Sequence, residues 1–352
     1  MKIAVVVCYD QQNYVRAHTL RKGLESTPNV QIINIANKHK GILRYFEVPL
    51  KIIKARFTSK PDAYLVTFRG YEMLLYMVLT FVRKPIIFDE FINFTEWMDE
   101  HGHISEGTLR YKLFRSWYAM LARKCRVILA DTEAHALYSS QLNTISRDKY
   151  QVIPVGANEE LFSYDPRSHY VEPFTVFYYG SMLPLHGLKY VLDAAVELKD
   201  TPGIRFLFVG GKQKAEEACN EAKKAGASIE YRSWVDLEQI PKIAKTSGLT
   251  IGGPFGNTLQ SRFVVTGKTY QFLSIGAPVL IGINESNAKF KDKLNCLMVP
   301  QANSKKLAES ILWAYQHPNE LQQIGAKGHQ LYEEEFSQPV IDELVSKVVK
   351  NL

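Results

Sequence analysis

Short apolar runs alternate with amphipathic stretches along most of the 352 residues, and this alternation limits the possible folds more than any other feature of the sequence. It predicts βαβ units, in which helices join the strands of a parallel sheet. A helical stretch at 106–123, for example, places Leu109, Leu113, Trp117 and Met120 on one face. The candidate strands of the first half are 2–8, 30–35, 62–67, 85–89, 126–130 and 151–154.

The pattern begins again after a polar interruption. Residues 163–173, SYDPRSHYVEP, contain two prolines and show no apolar period, which is typical of a domain boundary. Beyond it, the apolar runs FTVFYYG, IRFLFVGG and GLTIGG alternate with helical stretches. A second wound sheet follows from the same reasoning.

The chain is longer than one hydrophobic core usually supports, so we predict two α/β domains, each doubly wound and Rossmann-like. The first spans 1–165, the second spans 166–335, and a C-terminal helix over 336–352 packs back on the first. Two such sheets facing each other would leave a cleft at the carboxyl ends of their strands, where open α/β folds bind ligands.

The net charge of +7 is concentrated in the first half, since residues 1–170 hold 23 Lys and Arg against 17 Asp and Glu. A basic half favours an anionic partner. The sequence has no zinc finger, no RNP-type aromatic strand and no helix-turn-helix pattern, so we expect no nucleic-acid partner.

The N-terminal apolar run, IAVVVCY, is too short for a signal peptide, and YEMLLYMVLTFV at 71–82 is too short for a membrane span. We interpret the second stretch as a core helix. The four cysteines lie far apart, without a C-x-x-C pair, as in reduced proteins. We expect a cytoplasmic protein, with peripheral association at the inner face of the cell membrane left open.

Glycines end three apolar runs of the second half: Gly180, Gly210 with Gly211, and Gly252 with Gly253. Glycine permits close approach of a ligand to the backbone, and a helix that starts just beyond offers free N–H groups to phosphate. Ordinary tight turns explain any one of these positions equally well. Three on one sheet edge favour a ligand site.

A Gly-Lys-Thr triplet at Gly267 suggests a nucleotide-binding P-loop, whose pattern is G-x-x-x-x-G-K-[ST]. Arg262 stands where that pattern requires its first glycine, and the apolar run before the triplet is too short for the P-loop strand. We therefore reject the P-loop, which leaves the role of Lys268 to be explained.

Four segments in order, FYYGSMLPLHGLKYVLDAAVEL, FLFVGGKQ, SWVDLEQIPKIAKTSGLTIGGPFGNT and RFVVTGKTYQFLSIGAPVL, resemble the donor-binding domain of family 4 retaining glycosyltransferases with the GT-B fold. In the first half, RKPIIFDEF and VILADTEAHALYSSQL resemble the acceptor domain more loosely. The resemblance covers essentially the whole chain and is strongest from about residue 150 onward.

The resemblance implies a hexosyltransferase that moves a sugar from a UDP- or GDP-linked donor to a saccharide or lipid-linked acceptor, with retention, in surface polysaccharide or glycolipid biosynthesis. It also implies that no metal ion or other cofactor is bound, and the sequence contains no D-x-D triplet. In this family a G-R-x-x-x-x-K-G pattern usually neutralises the leaving diphosphate. Here the stretch reads Gly180-Ser181…His186-Gly187, and both cations are missing.

The family's N-K-x-Y-[EQ] subset places a lysine where Lys268 stands and an arginine near Arg262. The resemblance thus implies that Lys268 and Arg262 hold the diphosphate, helped by the helix N-terminus and by His186 as hydrogen-bond donor or cation. The alternatives are a solvated lysine and a helix-capping histidine.

The resemblance also implies further donor contacts. Gln271 would contact the ribose, because an amide both donates to and accepts from hydroxyls. The base would lie against the backbone at Trp234 and Val235, although Trp234 could instead anchor the core. The family's first Glu would fall at Phe263, so that contact is absent or moved. The remaining predicted donor-site residues are Asn257 and Thr269.

In the first half, Asp89 and Glu90 end the apolar run PIIF, where a carboxylate could orient the acceptor hydroxyl or stabilise oxocarbenium charge. A solvated turn is the alternative. We take Asp89 as the catalytic candidate and Glu90 as the fallback. The other candidate acceptor-side residues are Asn13, Arg16, His101 and His103; the two histidines with Asp99 could also ligate a metal, but no further ligand cluster supports this.

Residues 38–60 carry seven Lys and Arg against one acid, Glu47. Pro49 suits a helix start, after which Leu50, Ile53 and Phe57 form an apolar stripe beside the cations. Such a face could dock on anionic lipid, or the stripe could simply pack the helix against the protein.

Two rival functions remain open from the sequence. A sugar- or nucleotide-binding protein of the same fold explains the missing Arg and first Glu equally well, and turnover of a donor separates it from an enzyme. A nucleotide-sugar epimerase needs no acceptor, so product formed from donor alone would favour it.

Overall fold

The computed structural model describes residues 1–9, 14–39, 41–67, 70–79, 83–166 and 171–352. The chain forms two compact units. Unit 1 comprises Met1–Gly156 and Gln338–Leu352, and unit 2 comprises Ala157–Ser337. The division comes before the polar interruption and not within it, because the preceding residues already belong to unit 2. The Phe162 carbonyl, for instance, accepts a hydrogen bond from the Ser274 hydroxyl at 3.2 Å.

Unit 1 is built on a six-stranded parallel sheet of order β2-β1-β3-β4-β5-β6. The ends of its strands lie within two residues of the ends of the predicted runs. The prediction succeeds because strands buried on both faces are continuous apolar segments. They are β1 (Lys2–Val7), β2 (Gln31–Ala36), β3 (Ala63–Val66), β4 (Ile86–Asp89), β5 (Val127–Ala130) and β6 (Tyr150–Val152). The helices are α1 (Val15–Ser26), α2 (Arg44–Thr58), α3 (Tyr71–Leu79), α4 (Phe94–Glu100), α5 (Leu109–Arg123), α6 (Glu133–Asn143) and the C-terminal α13 (Gln338–Lys350).

Helices cover both faces of this sheet. Buried side chains of α2, α3 and α5 share one core with Val6, Tyr64 and Phe88 of the strands. On the opposite face α1 and α13 share a core with the alternate strand residues, and the helices approach so closely that a Cβ atom at Gly23 would lie 2.7 Å from Cγ2 of Val345. The C-terminal helix therefore completes unit 1.

The apolar face predicted for this helix, with Leu109, Leu113, Trp117 and Met120, is not the side that α5 buries. Leu109 is 72% exposed and Leu113 is 63% exposed, and Met120 is exposed as well. The helix instead buries a side formed by Tyr111, Tyr118, Ala119, Leu121 and Ala122. The physical reason is that Tyr118 supplies both ring area and a hydroxyl group, which the core needs for a buried carboxylate.

Helix α2 begins earlier than predicted. A 3-10 turn over Gly41–Leu43 leads into the helix at Arg44, so Pro49 lies inside the helix and not at its start. Its buried residues are Val48, Pro49, Ile52 and Ala55. The earlier start adds Phe46 to the predicted apolar stripe of Leu50, Ile53 and Phe57. This stripe lies on the side of α2 opposite its buried residues.

Unit 2 is built on a second six-stranded parallel sheet, of order β12-β11-β10-β7-β8-β9. The strands are β7 (Phe174–Gly180), β8 (Ile204–Gly210), β9 (Ile229–Arg232), β10 (Leu249–Ile251), β11 (Val279–Ile283) and β12 (Leu297–Pro300). The helices are α7 (Leu188–Glu197), α8 (Gln213–Lys224), α9 (Gln239–Thr246), α10 (Gly267–Ser274), α11 (Ser304–Gln316) and α12 (Pro318–Glu335).

The described residues contain no helix that combines the length and the apolar character of a membrane span. Helix α3, taken from the sequence as a core helix, buries Tyr71, Met73, Leu74 and Met77. Both sheets are thus those of doubly wound, Rossmann-like domains, as predicted.

Candidate functional site

The sheet of unit 2 reverses its direction of growth at β7. Strands β8 and β9 extend it on one side, whereas β10, β11 and β12 extend it on the other. Open α/β sheets bind ligands beyond the carboxyl ends of the strands at such a reversal. In unit 2 this crevice lies at the ends of β7 and β10, so Gly180, Gly252 and the start of α10 stand beside it.

Lys268, the second residue of α10, is buried at this point. Its ammonium nitrogen lies 3.9 Å from the ring centroid of Tyr178. It makes no hydrogen bond with any residue that the structure describes. Burial lowers the pKa of Lys268 well below its ordinary value, because the charged form has lost its water. A bound anion would supply what this ammonium group lacks.

His186 belongs to the same environment. It ends the 3-10 turn Pro184–His186 after β7, and burial together with the charge of Lys268 lowers the pKa of its ring well below 6.5. Among the described residues, neither its Nδ1 nor the hydroxyl of Tyr178 has a hydrogen-bond partner. A neutral imidazole and a phenol therefore stand close to the buried ammonium group with bonding capacity to spare.

Two threonines tie the start of α10 to the end of β10. The hydroxyl of Thr266 donates to the Gly252 carbonyl at 2.8 Å and lies 3.0 Å from the hydroxyl of Thr269. A Cβ atom at Gly252 would lie 2.5 Å from Oγ1 of Thr269. The hydroxyl of Thr269 is buried against that of Thr266, and the predicted contact of Thr269 with the donor stays a prediction.

Gln271 lies one turn further along α10. Its Oε1 accepts a hydrogen bond from the hydroxyl of Tyr179, near the end of β7. This bond holds the amide at the carboxyl end of β7, where the predicted ribose contact would be made. That contact stays a prediction.

Most of the predicted site glycines have a packing explanation. A Cβ atom at Gly187 would lie 2.5 Å from the Phe255 carbonyl carbon, one at Gly210 would lie 2.6 Å from the Gly180 carbonyl oxygen, and one at Gly211 would lie 2.5 Å from Cβ of Ala215. Gly180 differs. Its φ of +135° favours glycine, and no atom of the described residues lies within 4 Å of its Cβ position. The space at the end of β7 is therefore open at Gly180.

Arg262, predicted to share the diphosphate with Lys268, has a partner of its own. Its guanidinium is exposed and forms an ion pair with Glu285 at 2.6 Å. Trp234, just after β9, is 76% exposed, so the alternative of a core anchor is wrong. Val235 is partly buried, and Ser181 and Asn257 are exposed.

In unit 1 the structure corrects the interpretation of Asp89 and Arg16. Both side chains are fully buried, and Nη2 of Arg16 lies 2.9 Å from Oδ1 of Asp89. The same guanidinium donates to the carbonyls of Ile153 and Pro154. Burial raises the pKa of Asp89, and the Arg16 charge opposes that rise. Asp89 is therefore neither a solvated turn residue nor a free carboxylate. The Arg16 guanidinium binds groups of the protein itself and does not face an acceptor.

Glu90 is corrected as well, because it faces the core and not an acceptor. Its carboxylate accepts hydrogen bonds from the Tyr118 hydroxyl at 2.6 Å, the Ser139 hydroxyl at 2.8 Å and the Asn93 amide at 3.0 Å. Burial raises its pKa, and the charge of His135 opposes this. The network fixes α5 and α6 against the end of β4.

Sequence reasoning missed a second buried cluster at the end of β5. The carboxylate of Asp131 lies 2.8 Å from Nδ1 of His135, one turn into α6. Burial acts to lower the pKa of His135, but the hydrogen bond to Asp131 and the charges of Asp131, Glu90 and Glu96 together outweigh it and raise the pKa to about 9. Burial raises the pKa of Glu96, in α4, to about 7. The signal was available: an Asp at the end of an apolar run with a His four residues on.

The other acceptor-side candidates lie apart from these clusters or cannot be placed. His101 and His103 are exposed after α4, where the His101 ring stacks on Trp97 at 4.3 Å between centroids. Asn13 lies outside the described residues. Within the described part of the chain, no three His, Cys, Asp or Glu side chains are grouped so as to hold a metal ion.

No protein-family model matches the sequence, and no curated protein matches it. Solved structures do match. Anabaena Alr3699/HepE, crystallised in complex with UDP-glucose, is 13% identical, with 100% of each chain covered and a TM-score of 0.75. Sucrose-phosphate synthase from Thermosynechococcus elongatus is 12% identical, with 100% of this chain and 98% of that chain covered and a TM-score of 0.79. The chain has the GT-B fold.

A structure described as a putative UDP-N-acetylglucosamine 2-epimerase from Listeria monocytogenes is also similar. It is 10% identical, with 99% of this chain and 96% of that chain covered and a TM-score of 0.61. At such identities the similarity establishes the GT-B fold alone, and a fold hosts more than one chemistry. The activity of this GT-B protein must be argued from its site.

Proposed function

We propose that the protein is a glycosyltransferase that moves a sugar from a nucleotide diphosphate sugar to an acceptor, with retention and without a bound metal ion. The observation that carries the proposal is the buried ammonium group of Lys268, which has no hydrogen-bond partner among the described residues and lies at the switch point of unit 2. An uncompensated buried charge is costly, so a site that keeps one is built for an ion of opposite sign.

A diphosphate fits this site. Its oxygens would accept hydrogen bonds from Lys268 and from neutral His186, and the N-terminus of α10 would add favourable dipole charge. The open space at Gly180 would admit the phosphates. When the glycosidic bond to the donor breaks, negative charge develops on the diphosphate, and a fixed cation in a dry site stabilises it.

The rest of the nucleotide would lie along the edge formed by β7 to β9. Gln271, held by Tyr179, would contact the ribose, and Trp234 is exposed beside the predicted position of the base. The Anabaena structure that matches this fold contains UDP-glucose, which favours a UDP-linked donor over a GDP-linked one. Arg262 would need to leave Glu285 to join the diphosphate, so we assign it a secondary role.

We propose a saccharide or lipid-linked acceptor, handled by unit 1, in the synthesis of a surface polysaccharide or glycolipid. Asp89 would act there as a positioning residue through Arg16, because its charge is committed to that guanidinium. Asp131 and His135 form the adjoining buried polar cluster and would hold the end of β5 and the start of α6 in place beneath such an acceptor.

The test is turnover of a panel of UDP- and GDP-linked sugars with and without saccharide acceptors, followed by NMR of the anomeric proton in the product. We expect nucleotide release that depends on the acceptor, retained configuration and full activity in EDTA. A product formed from donor alone would favour an epimerase, for which the Listeria similarity gives some support. Tight binding of nucleotide sugar without any turnover would indicate a binding protein.

A further inference from the structure

An apolar stripe lies on the outer side of α2 and of the 3-10 turn before it. Phe46, Leu50 and Phe57 are 64%, 65% and 70% exposed, and Ile42 in the turn is 72% exposed. The spacing of four, three and four residues through Ile53 places these side chains in one row along the helix. Side chains of this size rarely stand in a row in water unless something covers them.

The stripe has no packing role in its own unit. The opposite side of α2, formed by Val48, Pro49, Ile52 and Ala55, is the one buried against the sheet. The sequence left open that the stripe itself packs the helix on the protein. The structure excludes this, since the helix is already fixed by its other side.

Positive charge flanks the stripe on both sides. At about 100° per residue, Lys54 and Arg56 lie on opposite flanks of the row, and both are exposed. Beyond the end of the helix, a cavity of about 370 Å³ is lined by Arg56, Lys60, Arg83 and Lys84, with one carboxylate, Asp62. That carboxylate accepts a hydrogen bond from the backbone N–H of Lys2.

The single acid of residues 38–60 does not oppose this charge. Glu47 accepts hydrogen bonds from the Lys51 ammonium group and from the backbone N–H groups of Lys38 and His39. These bonds lower the pKa of Glu47 below its ordinary value and compensate its charge locally. An anionic partner would therefore meet Lys54 and Arg56 beside the C-terminal half of the stripe without repulsion from Glu47.

The surface continues over the neighbouring helices of the same layer. Helices α2, α3 and α5 cover one face of the sheet, and the outer sides of α3 and α5 expose Leu79, Leu109, Leu113 and Met120. Together with Ile42 and Leu43 of the 3-10 turn, this helix layer holds ten of the 19 exposed large apolar side chains that the structure describes. A single peptide would cover one row, whereas a broad apolar surface with a basic rim fits an extended anionic one.

We propose that this helix layer of unit 1 docks on an anionic lipid bilayer. The apolar row of α2 enters the boundary between headgroups and acyl chains, and Lys54, Arg56 and the basic cavity bind lipid phosphates. The docking does not depend on the proposed transferase activity. It would bring a lipid-linked acceptor to the unit that handles acceptors.

The test is flotation of the full chain with vesicles of phosphatidylcholine alone and of phosphatidylcholine mixed with phosphatidylglycerol. We expect binding to the mixed vesicles only, weakened by added salt. The variant Phe46→Ser/Leu50→Ser/Phe57→Ser should bind at least about tenfold more weakly, because each change removes a large apolar side chain from the boundary. Lys54→Glu/Lys60→Glu keeps the row and should lose the preference for anionic lipid.

The matched control is Val171→Ser/Leu294→Ser, which removes two exposed apolar side chains of unit 2 and should bind like the unchanged protein. Transfer to a water-soluble acceptor should be equal in all variants, which separates this proposal from the proposed function. Equal binding to both kinds of vesicle, or binding to neither, overturns the proposal. So does a dimer, measured by light scattering, that the triple serine variant converts to monomers, since a second copy then covers the row.

Discussion

The ammonium nitrogen of Lys268 lies 3.9 Å from the centroid of the Tyr178 ring and has no hydrogen-bond partner among the described residues. The ring quadrupole offers partial compensation for a cation, but it cannot replace a counter-ion in a buried site. The unliganded site therefore stores an electrostatic cost that binding of an anion would relieve.

Changing Lys268 to Met should separate function from stability. We expect transfer to fall on the order of a hundredfold, because a charged hydrogen bond to the diphosphate is lost. The free energy of unfolding of the unliganded protein should rise by about 1 to 3 kcal/mol, because a buried uncompensated charge is replaced by an apolar side chain of similar length. Donor turnover and urea denaturation measure the two effects.

Lys289→Met is the matched control for this change. Lys289 also lies in unit 2, but it is exposed and paired with Glu335 at 2.8 Å. We expect unchanged transfer from Lys289→Met and a change in the free energy of unfolding within about 0.5 kcal/mol. A Lys268→Met protein that is less stable and fully active would show that Lys268 is structural.

The buried pair of Arg16 and Asp89 should behave as one unit. Removing either charge alone, as Arg16→Met or Asp89→Leu, leaves the other buried without its counter-charge and should lower the free energy of unfolding by about 3 to 5 kcal/mol. The double variant should cost clearly less than the sum of the two. Urea denaturation of the four proteins gives the coupling energy.

Arg21 and Glu25 provide the comparison. They form an ion pair within α1, the helix that contains Arg16, and about half of each side chain is exposed. Its coupling should be within about 1 kcal/mol of zero. Strict additivity for Arg16 and Asp89 would mean that the two residues act independently. The consequence for activity is that a loss in Asp89→Asn can be interpreted only after its stability has been measured.

Glu96 predicts a dependence of stability on pH. Burial raises its pKa from 4.5 to about 7, so the folded protein binds this proton more tightly than the unfolded chain does. Its contribution to stability is therefore greatest below about pH 4.5 and is lost as the pH rises toward 7. Glu96→Gln imitates the protonated form and should stabilise the protein above pH 7 by up to about 3 kcal/mol, with little effect at low pH.

Urea denaturation across this pH range measures the effect. Glu106→Gln, at an exposed position in the same unit, should give curves parallel to those of the unchanged protein. If Glu96→Gln is equally stabilising at every pH, the effect comes from packing and not from ionisation.

Two glycines after β7 should respond differently to alanine. At Gly187 the new methyl group would meet backbone atoms of Phe255 and Gly256, so we expect loss of stability well above about 1 kcal/mol. At Gly180 no atom of the described part of the chain blocks the methyl group, so the cost comes from the backbone angle. Gly180→Ala should therefore affect nucleotide affinity more than stability, as isothermal titration with UDP would measure.

Much of the fold can be predicted from the sequence, because each strand buried on both faces is a short apolar run that can be recognised locally. The strands of unit 1 follow from these runs, whereas the switch point at β7 appears only in the strand order of the structure. The inner face of α5 does not follow, because its large apolar residues point outward while tyrosine and alanine fill the core.

The polar interior of unit 1 is equally hidden from the sequence. Arg16 and Asp89 are 73 residues apart, and only the order of the strands brings them together. A charged side chain is expected in solvent until a partner is known. The sequence therefore predicts accessible carboxylates at Asp89 and Glu90. Lys268 could be singled out because its local pattern failed as a P-loop, although its lack of a partner appears only in the structure.

Helix α13 has a consequence for the order of folding during synthesis. Residues Ala157–Ser337 leave the ribosome before Gln338–Lys350, yet α13 supplies four buried residues to the hydrophobic layer of unit 1 that contains Leu20 and Leu24. Unit 2 can therefore complete its core first, while the older N-terminal segment waits with one face of its sheet partly open. Domains generally fold from the N-terminus as they are made, and the position of α13 in the sequence predicts the opposite order for these two units.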